Sequence, residues 1–398
     1  MVLDNRQNLV LLRWRWVFVA ALYLGSLVLG YNFLRYQWQS GWEVRWLGLA
    51  ALTMFVLLAI FWRALHHNHR PTEATLLPSL GYGNGMTLAR GLCTMLLAGF
   101  LFAPQPTGAL AWVPALLYTV ERLLDYFDGY VARRTGQATK LGAILDMEFD
   151  CVGFLLAILL CIHYGQLPVW YVVLGLARYL FVGGIWLREW RNQPVAPLPP
   201  SDNSRLIAGF QTTFVSVVLW PVLSPQVTQL ASYLFAIPLC YSFGRDWLVV
   251  SHVLDIETQL YQTLRRTVKQ LFEHWAPLAA RVVGALVASM MLWRAVPLFS
   301  TWLGHWGMQN LQTPPIFFFA LLASLWAIAT LLLLLGVLGR FAALALFCLA
   351  ALDLVASGLH WTDNGLLFIC TLIVLHLGSG KFALWSPDER WVHVKLGA

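Results

Sequence analysis

The sequence predicts an all-α, polytopic membrane protein with about twelve transmembrane helices. Of its 398 residues, 59% are hydrophobic and only 11% are charged, and the mean hydropathy is +0.66. A soluble domain carries about 25% charged residues, so a chain this apolar is expected to have the bilayer as its solvent. A spanning helix needs roughly 20 mostly apolar residues, and many stretches reach that length. The clearest stretches are 16–34, 46–65, 86–102, 142–162, 168–187, 206–223, 316–338 and 341–359.

Lysine and arginine are concentrated in alternate connections between these stretches. One basic connection contains Arg133, Arg134 and Lys140, whereas the loops 103–108 and 224–228 contain no basic residue. This positive-inside pattern places both termini and the basic loops in the cytoplasm. The predicted location is a bacterial inner membrane. The formal net charge of +7 is explained by topology and by anionic lipid headgroups, so no nucleic-acid partner is expected.

The chain is predicted to consist of four sections. Residues 1–75 form an N-terminal two-helix membrane section, and residues 76–252 form a core with about six spans. Residues 253–276 are charged and amphipathic, as in an interfacial linker helix, and residues 277–398 hold about four more spans. The six cysteines stand singly in apolar stretches, which indicates neither a zinc site nor a disulfide framework. The polar run His66–Arg70 is expected to be a solvated loop, with metal binding by its three histidines as the alternative.

Four aspartates in the core section form the decisive pattern. Asp125 and Asp128 are three residues apart, and Asp146 and Asp150 are four apart, so each pair shares a helix face. A polar, glycine-containing turn at 133–140 joins the two helices. In an antiparallel hairpin Asp128 would lie level with Asp146 and Asp125 with Asp150, so the four carboxylates are expected to converge.

Such a cluster requires a counter-charge. An aspartate at the centre of a spanning helix costs about 2.5–3.5 kcal/mol, and four mutually repelling anions are untenable alone. Hard oxygen ligands favour Mg²⁺ or Mn²⁺, and four carboxylates are enough to hold two such ions. The alternative is an ion-pair network with Arg122, Arg133 and Arg134. Gly129 and Gly142 lie beside the acidic faces, where a missing side chain admits close helix packing or a bulky ligand.

The complete motif resembles the signature of the CDP-alcohol phosphotransferase family. It reads Asp125-x2-Asp128-Gly129-x2-Ala132-Arg133-x8-Gly142-x3-Asp146-x3-Asp150. The resemblance implies a six-helix membrane core and a binuclear metal site that faces the cytoplasm. It also implies that Asp125, Asp128, Asp146 and Asp150 are metal ligands, with Asp150 as the candidate general base.

The same resemblance implies a site for the cytidine nucleotide. Asn84-x2-Thr87-x2-Arg90, at the start of the preceding span, is similar to a pattern found there in many family members. The residues implied to bind CDP are Asn84, Thr87, Arg90, Gly129, Ala132, Arg133 and Gly142.

Later segments look like the branch that makes phosphatidylglycerol phosphate, although Ala208 and Phe243 depart from its usual residues. These segments are LREW at 187–190, Arg205-x5-Gln211 and Gly244-x-Asp246-Trp247. The candidates for holding an acceptor phosphate are Arg178, Arg188, Arg205 and Arg245. The alternative for each arginine is a membrane-interface anchor.

The predicted reaction is transfer of a phosphatidyl group from CDP-diacylglycerol to a small, phosphorylated alcohol such as glycerol 3-phosphate, with release of CMP. One alternative uses CDP-choline, CDP-ethanolamine or another CDP-alcohol with a lipid acceptor. A cation-coupled transporter and an inactive scaffold are alternatives of other classes. The C-terminal section, which ends LHLGSGKFALW, resembles DoxX-like small membrane proteins, and its spans are candidates for homodimerisation or lipid binding. Asp353, deep in an apolar run there, is either functional or paired with a neighbouring polar group.

Overall fold

The computed structural model describes residues 2–38, 41–73, 75–197, 202–255, 258–295 and 316–387. Those residues form helices and loops, which confirms the all-α class. The chain divides into two compact units, of which the first comprises Met1–Leu180 and Gln211–Val222, and the second Phe181–Phe210 and Leu223–Ala398.

The structure describes thirteen α-helices, numbered here in chain order. The first seven are α1 Val2–Gln37, α2 Trp42–Ala64, α3 Gly81–Ala98, α4 Trp112–Arg134, α5 Lys140–His163, α6 Val172–Trp190 and α7 Asp202–Val218. The remainder are α8 Pro225–Val250, α9 Gln259–Gln270, α10 Ala276–Ala295, α11 Ile316–Leu335, α12 Gly339–Ser357 and α13 Leu366–Leu377.

Within the part of the chain that the structure describes, four helices are long and apolar enough to cross a membrane, as expected of an integral membrane protein. They are Asn5–Gln37, Trp42–His67, Val169–Trp190 and Ala276–Arg294. Shorter apolar helices cover Ile207–Val218, Leu321–Leu335 and Trp361–Leu377. The acidic and basic residues of α4 and α5 interrupt their apolar stretches, so these helices do not count as spans by composition. The number of about twelve spans stays a prediction.

In the first unit, α3 packs against both α4 and α5 because small residues let the backbones approach. A Cβ atom at Gly83 would lie 2.7 Å from the Ala132 Cβ and 3.1 Å from the Asp128 carbonyl oxygen. A Cβ atom at Gly91 would lie 2.5 Å from the Phe149 ring. Close approach at glycine is a common way to pack membrane helices. The polar face of α3 therefore reaches both helices that carry the aspartate pairs.

A hydrogen-bonded segment holds the starts of α3 and α5 in place. The side chain of Asn68 is fully buried and donates to the carbonyls of Leu77 and Ser79, each at 2.9 Å. The next residue, His69, accepts a bond from the Lys140 backbone N–H at 3.0 Å. The polar run after the second span is thus an ordered connection rather than a freely solvated loop.

The second unit contains a buried arginine that donates to backbone carbonyls of two separate segments. Arg281, on α10, is 2% exposed and donates to the backbone carbonyls of Leu333, Leu334, Ser379 and Lys381 at 2.6–3.3 Å. The last carbonyls of α11 have no partner within their own helix and form the negative end of its dipole. Arg281 therefore caps α11 and anchors the glycine-rich turn of the LHLGSGKFALW segment. The DoxX-like resemblance of this section stays a prediction.

Arg281→Met is expected to destabilise the protein by about 2–4 kcal/mol, because it leaves buried carbonyls without donors. The measurement is Tm in nanodiscs, with Arg294→Met as the control. Arg294 lies on the same helix, but its side chain is 57% exposed and pairs with Asp363. An exposed ion pair contributes little, so the control should keep nearly the wild-type Tm. Equal Tm losses in both variants would contradict a capping role for Arg281.

Asp353 is paired with neighbouring polar groups. Its carboxylate accepts bonds from the Ser357 hydroxyl at 3.1 Å and from the Asn364 amide at 2.9 Å. Asn364 is fully buried and also donates to the Gly358 carbonyl. This network ties the end of α12 to the turn before α13, which is the second of the two interpretations of Asp353.

Candidate metal centre and nucleotide site

Three carboxylates from two helices meet in the first unit. Asp125 and Asp128 project from α4 and Asp146 from α5, and one oxygen of each lies within 4.8 Å of the others. Helix α4 ends at Arg134 and α5 begins at Lys140, so the turn lies where the sequence places it. The three carboxylates offer convergent oxygen ligands, the kind that Mg²⁺ and Mn²⁺ prefer.

The guanidinium group of Arg90 lies at the centre of these carboxylates. Its Nη1 atom is 2.7 Å from Asp125 Oδ1, 2.9 Å from Asp128 Oδ2 and 2.7 Å from Asp146 Oδ1. Its Nη2 atom donates to Asp150, and the Arg90 side chain is 0% exposed. The structure thus brings all four predicted aspartates to one side chain from α3. Arg90, which the family resemblance assigns to the nucleotide, contacts the carboxylates directly.

A second ion-pair layer surrounds this centre. Glu121, at 1% side-chain exposure, lies 3.6 Å from Arg90 Nε and accepts from the neighbouring Arg122. Arg122 also reaches Asp125 at 3.3 Å and Asp150 at 3.1 Å. The arginine network proposed as an alternative therefore includes Arg122, but its central member is Arg90 rather than an arginine of the turn.

Glu121 was missing from the predicted site, although its spacing signals it. It precedes Asp125 by four residues and Asp128 by seven, which puts the three acids on one helix face. The motif that carries the family resemblance begins at Asp125, so Glu121 fell outside it.

The charges of the cluster do not balance. Five carboxylates face the two guanidinium groups of Arg90 and Arg122, which leaves a formal net charge of −3. Carboxylates taken out of water need cationic partners, and unbalanced charge there is costly. The Nη1 atom of Arg90, in contact with three carboxylate oxygens, takes the position that a metal cation would occupy. The donor set and its charge therefore fit a divalent metal ion, with Asp125, Asp128 and Asp146 as ligands.

The remaining polar residues of α3 orient the acidic residues and the start of α5. The Thr87 hydroxyl donates to Asp128 Oδ2 at 2.9 Å. The Asn84 amide donates to Thr139 Oγ1 at 3.1 Å, and that hydroxyl accepts from the Gly142 N–H at 3.0 Å. A Cβ atom at Gly142 would collide with the Asn84 side chain, so glycine is needed there. Asn84, Thr87 and Arg90 lie on one helix face and connect α3 to both of its neighbours.

The end of α4 carries the other residues assigned to the nucleotide. Ala132 packs against Gly83, as described above, and Arg133 is exposed. Its guanidinium lies over Gly129, where an added Cβ atom would be 3.1 Å from Arg133 Nη1. Gly129 and Ala132 thus form a surface of small residues, and the long cationic side chain of Arg133 lies beside it.

The four arginines proposed to hold an acceptor phosphate share no contact among the described residues. Arg178, on α6, lies near Cys151, which follows the fourth aspartate. Arg188 donates to two backbone carbonyls, and Arg245 pairs with the aspartate that follows it. Those two arginines have local partners in the second unit, whereas the side chain of Arg205 lies outside the described residues.

Comparisons with known proteins agree on this region. Residues 80–242 match the family model described as CDP-alcohol phosphatidyltransferase. A CDP-diacylglycerol–glycerol-3-phosphate 3-phosphatidyltransferase from Salmonella typhimurium (strain LT2) is 38% identical over 88 residues, which are 20% of this chain and 46% of the relative. The protein of the same name from Escherichia coli (strain K12) is 37% identical over 89 residues, with the same coverage.

The match to these curated relatives thus spans less than half of their length. No solved structure matches the chain. The family match begins one residue before α3 and contains α4 and α5, so it includes Arg90, Glu121 and the four aspartates.

Proposed function

Because residues 80–242 form a CDP-alcohol phosphatidyltransferase domain, we propose that the chain transfers a phosphatidyl group from CDP-diacylglycerol to a small, phosphorylated alcohol. Glycerol 3-phosphate is the proposed acceptor, because the curated relatives are named for transfer to it. The observation that carries the proposal is the convergence of Asp125, Asp128 and Asp146 within the matched region.

In the proposed reaction, the hydroxyl oxygen of the acceptor forms a bond to the phosphorus that carries diacylglycerol. The bond from that phosphorus to the bridging oxygen of the pyrophosphate breaks, and CMP leaves. The hydroxyl proton passes to Asp150, whose side chain is 39% exposed and so accessible to an acceptor.

Asp125, Asp128, Asp146 and Asp150 are the proposed ligands of two divalent cations, Mg²⁺ or Mn²⁺. Bound there, such ions supply positive charge for the donor pyrophosphate. Asp128, at 8% side-chain exposure, is the innermost of the four and is held by Thr87 and Arg90. Thr87 and Arg90 are proposed to orient the Asp128 carboxylate, which is the least exposed of the four.

The nucleotide and acceptor sites are proposed to lie on the surfaces beside the four aspartates. Gly129, Ala132 and Arg133 are proposed to receive the cytidine nucleotide, because small residues admit it and Arg133 supplies a free cation. Arg178 is the proposed contact of the acceptor phosphate in the first unit, since it lies near the residue after Asp150. The positive-inside pattern supports a site that faces the cytoplasm, and a bacterial inner membrane is the proposed location.

The test is CMP release by the full chain in nanodiscs, supplied with CDP-diacylglycerol, Mn²⁺ or Mg²⁺, and a series of acceptor alcohols. We expect metal-dependent release that requires glycerol 3-phosphate and falls about 100-fold or more in Asp150→Asn. Glu148→Gln is the matched control, because it removes a charge from the same helix without entering the cluster contacts. Activity with CDP-choline but not CDP-diacylglycerol would overturn the proposed donor. No release with any donor would favour the transporter or scaffold.

A further inference from the structure

A cavity of about 280 Å³ lies in the first unit, outside the region that matches the family. It is formed by α1, the last turns of α2 and the residues that follow α2. The lining residues are Leu9, Arg13, Trp62, Arg63, Leu65 and His66. The residues of the metal centre do not line this cavity, so it is a separate site.

The cavity presents cations that have no carboxylate partner among the described residues. Arg13 and Arg63 are exposed and form no ion pair with any described acid. The Arg13 guanidinium lies 5.5 Å from the centre of the Trp62 ring, and the His66 ring lies 3.9 Å from that of His67. A guanidinium fork matches the oxygens of a phosphate group, and two forks facing one concave surface favour an anion.

The apolar part of the lining indicates what is attached to that anion. Leu9 and Trp62 lie beside the arginines, near the end of α2, which is the more apolar helix of this pair and is followed by a short turn that ends at His67. Tryptophan and arginine at the end of a spanning helix lie at headgroup level in a bilayer. A free inorganic anion would engage only the cationic part of the lining, whereas a lipid would contact both the cationic and the apolar part.

We propose that this cavity binds the phosphate-bearing headgroup of an anionic phospholipid, with Arg13 and Arg63 on the phosphate and Trp62 against the glycerol and upper acyl chain. The cavity also adjoins the segment that fixes the catalytic helices. His66 is followed within three residues by Asn68 and His69, whose bonds hold the starts of α3 and α5. A bound headgroup is therefore expected to stabilise the first unit.

The experiment measures lipid retention by native mass spectrometry of the full chain, delipidated in a neutral detergent and titrated with phosphatidylglycerol or phosphatidylcholine. We expect phosphatidylglycerol to be retained preferentially, and Arg13→Gln/Arg63→Gln to weaken its binding about tenfold or more. The control Arg15→Gln/Arg70→Gln removes the same charge from the same part of the chain, outside the cavity, and should bind like wild type.

A conservative variant separates recognition from misfolding. Arg13→Lys/Arg63→Lys keeps both charges and should retain a preference for phosphatidylglycerol over phosphatidylcholine. Equal losses in the glutamine variant and its control would overturn the site, because the effect would then be general surface charge. Stabilisation of Tm by inorganic phosphate, without retention of phosphatidylglycerol, would overturn the assignment to a lipid.

Discussion

Asp128→Asn is expected to lower metal-dependent CMP release about 100- to 1000-fold, since it removes the innermost charge of the cluster. Asp128 accepts from the Thr87 hydroxyl and from Arg90, each at 2.9 Å, and has the least exposed side chain of the four aspartates. Asparagine has nearly the same shape, so these contacts keep their geometry while one anionic metal ligand is lost.

The same variant has a second expected result that does not depend on turnover. Without metal, Asp128→Asn should keep or raise the Tm, because the formal charge of the cluster falls from −3 to −2 and carboxylate repulsion decreases. In wild-type protein, Mn²⁺ at about 100 times its Kd should add about 2.7 kcal/mol of stability. Most of that gain should be absent from the variant.

The control for both measurements is Glu148→Gln, on the same helix as Asp146 and Asp150. It should keep the CMP release and the Mn²⁺-dependent rise in Tm of wild-type protein. A normal Mn²⁺ response of Asp128→Asn would show that Asp128 is not a ligand. A large loss of Tm without metal would show that its role is to hold Arg90 and Thr87.

The position of the acidic cluster could be predicted because helix periodicity fixes it. Spacings of three and four put Asp125 with Asp128 and Asp146 with Asp150, and the turn between Arg134 and Lys140 reverses the chain. Helix periodicity does not show which third helix packs against α4 and α5. Gly83 and Gly91 let α3 approach both helices, and that packing appears only in three dimensions.

The central place of Arg90 could not be read from the sequence for a different reason. An arginine side chain is long enough to end at a nucleotide or among carboxylates, and its spacing from Asn84 and Thr87 is the same in both cases. The choice depends on the net charge that surrounds it, to which Glu121 contributes one unpredicted anion. Similarly, the sequence does not show that Arg281 is buried, because the helix ends whose carbonyls it contacts come together only in the folded second unit.

Arg90→Met is expected to destabilise the metal-free protein by about 3–5 kcal/mol, because it removes one partner of a buried ion-pair cluster. The methionine side chain fills much of the same space but leaves five carboxylates facing Arg122 alone, at a formal charge of −4. The measurement is Tm in nanodiscs with a metal chelator, and Arg134→Met is the control. Arg134 is exposed at the end of α4 and makes no ion pair with the described acids, so its loss should leave Tm nearly unchanged.

Mn²⁺ should then stabilise Arg90→Met by a larger increment than it stabilises wild-type protein. In the wild type a cation that approaches Asp125, Asp128 and Asp146 competes with the Arg90 Nη1 atom, which lies within 2.9 Å of all three. In the variant that competition is absent and the negative charge is greater, so Mn²⁺ titrations should give a lower Kd. Arg90→Lys, which keeps the charge but cannot reach Asp150 with a second nitrogen, should lie between the two. Equal Mn²⁺ increments in all three proteins would mean that Arg90 and the metal occupy different places, and the carboxylates would then need to rearrange before any ion could bind.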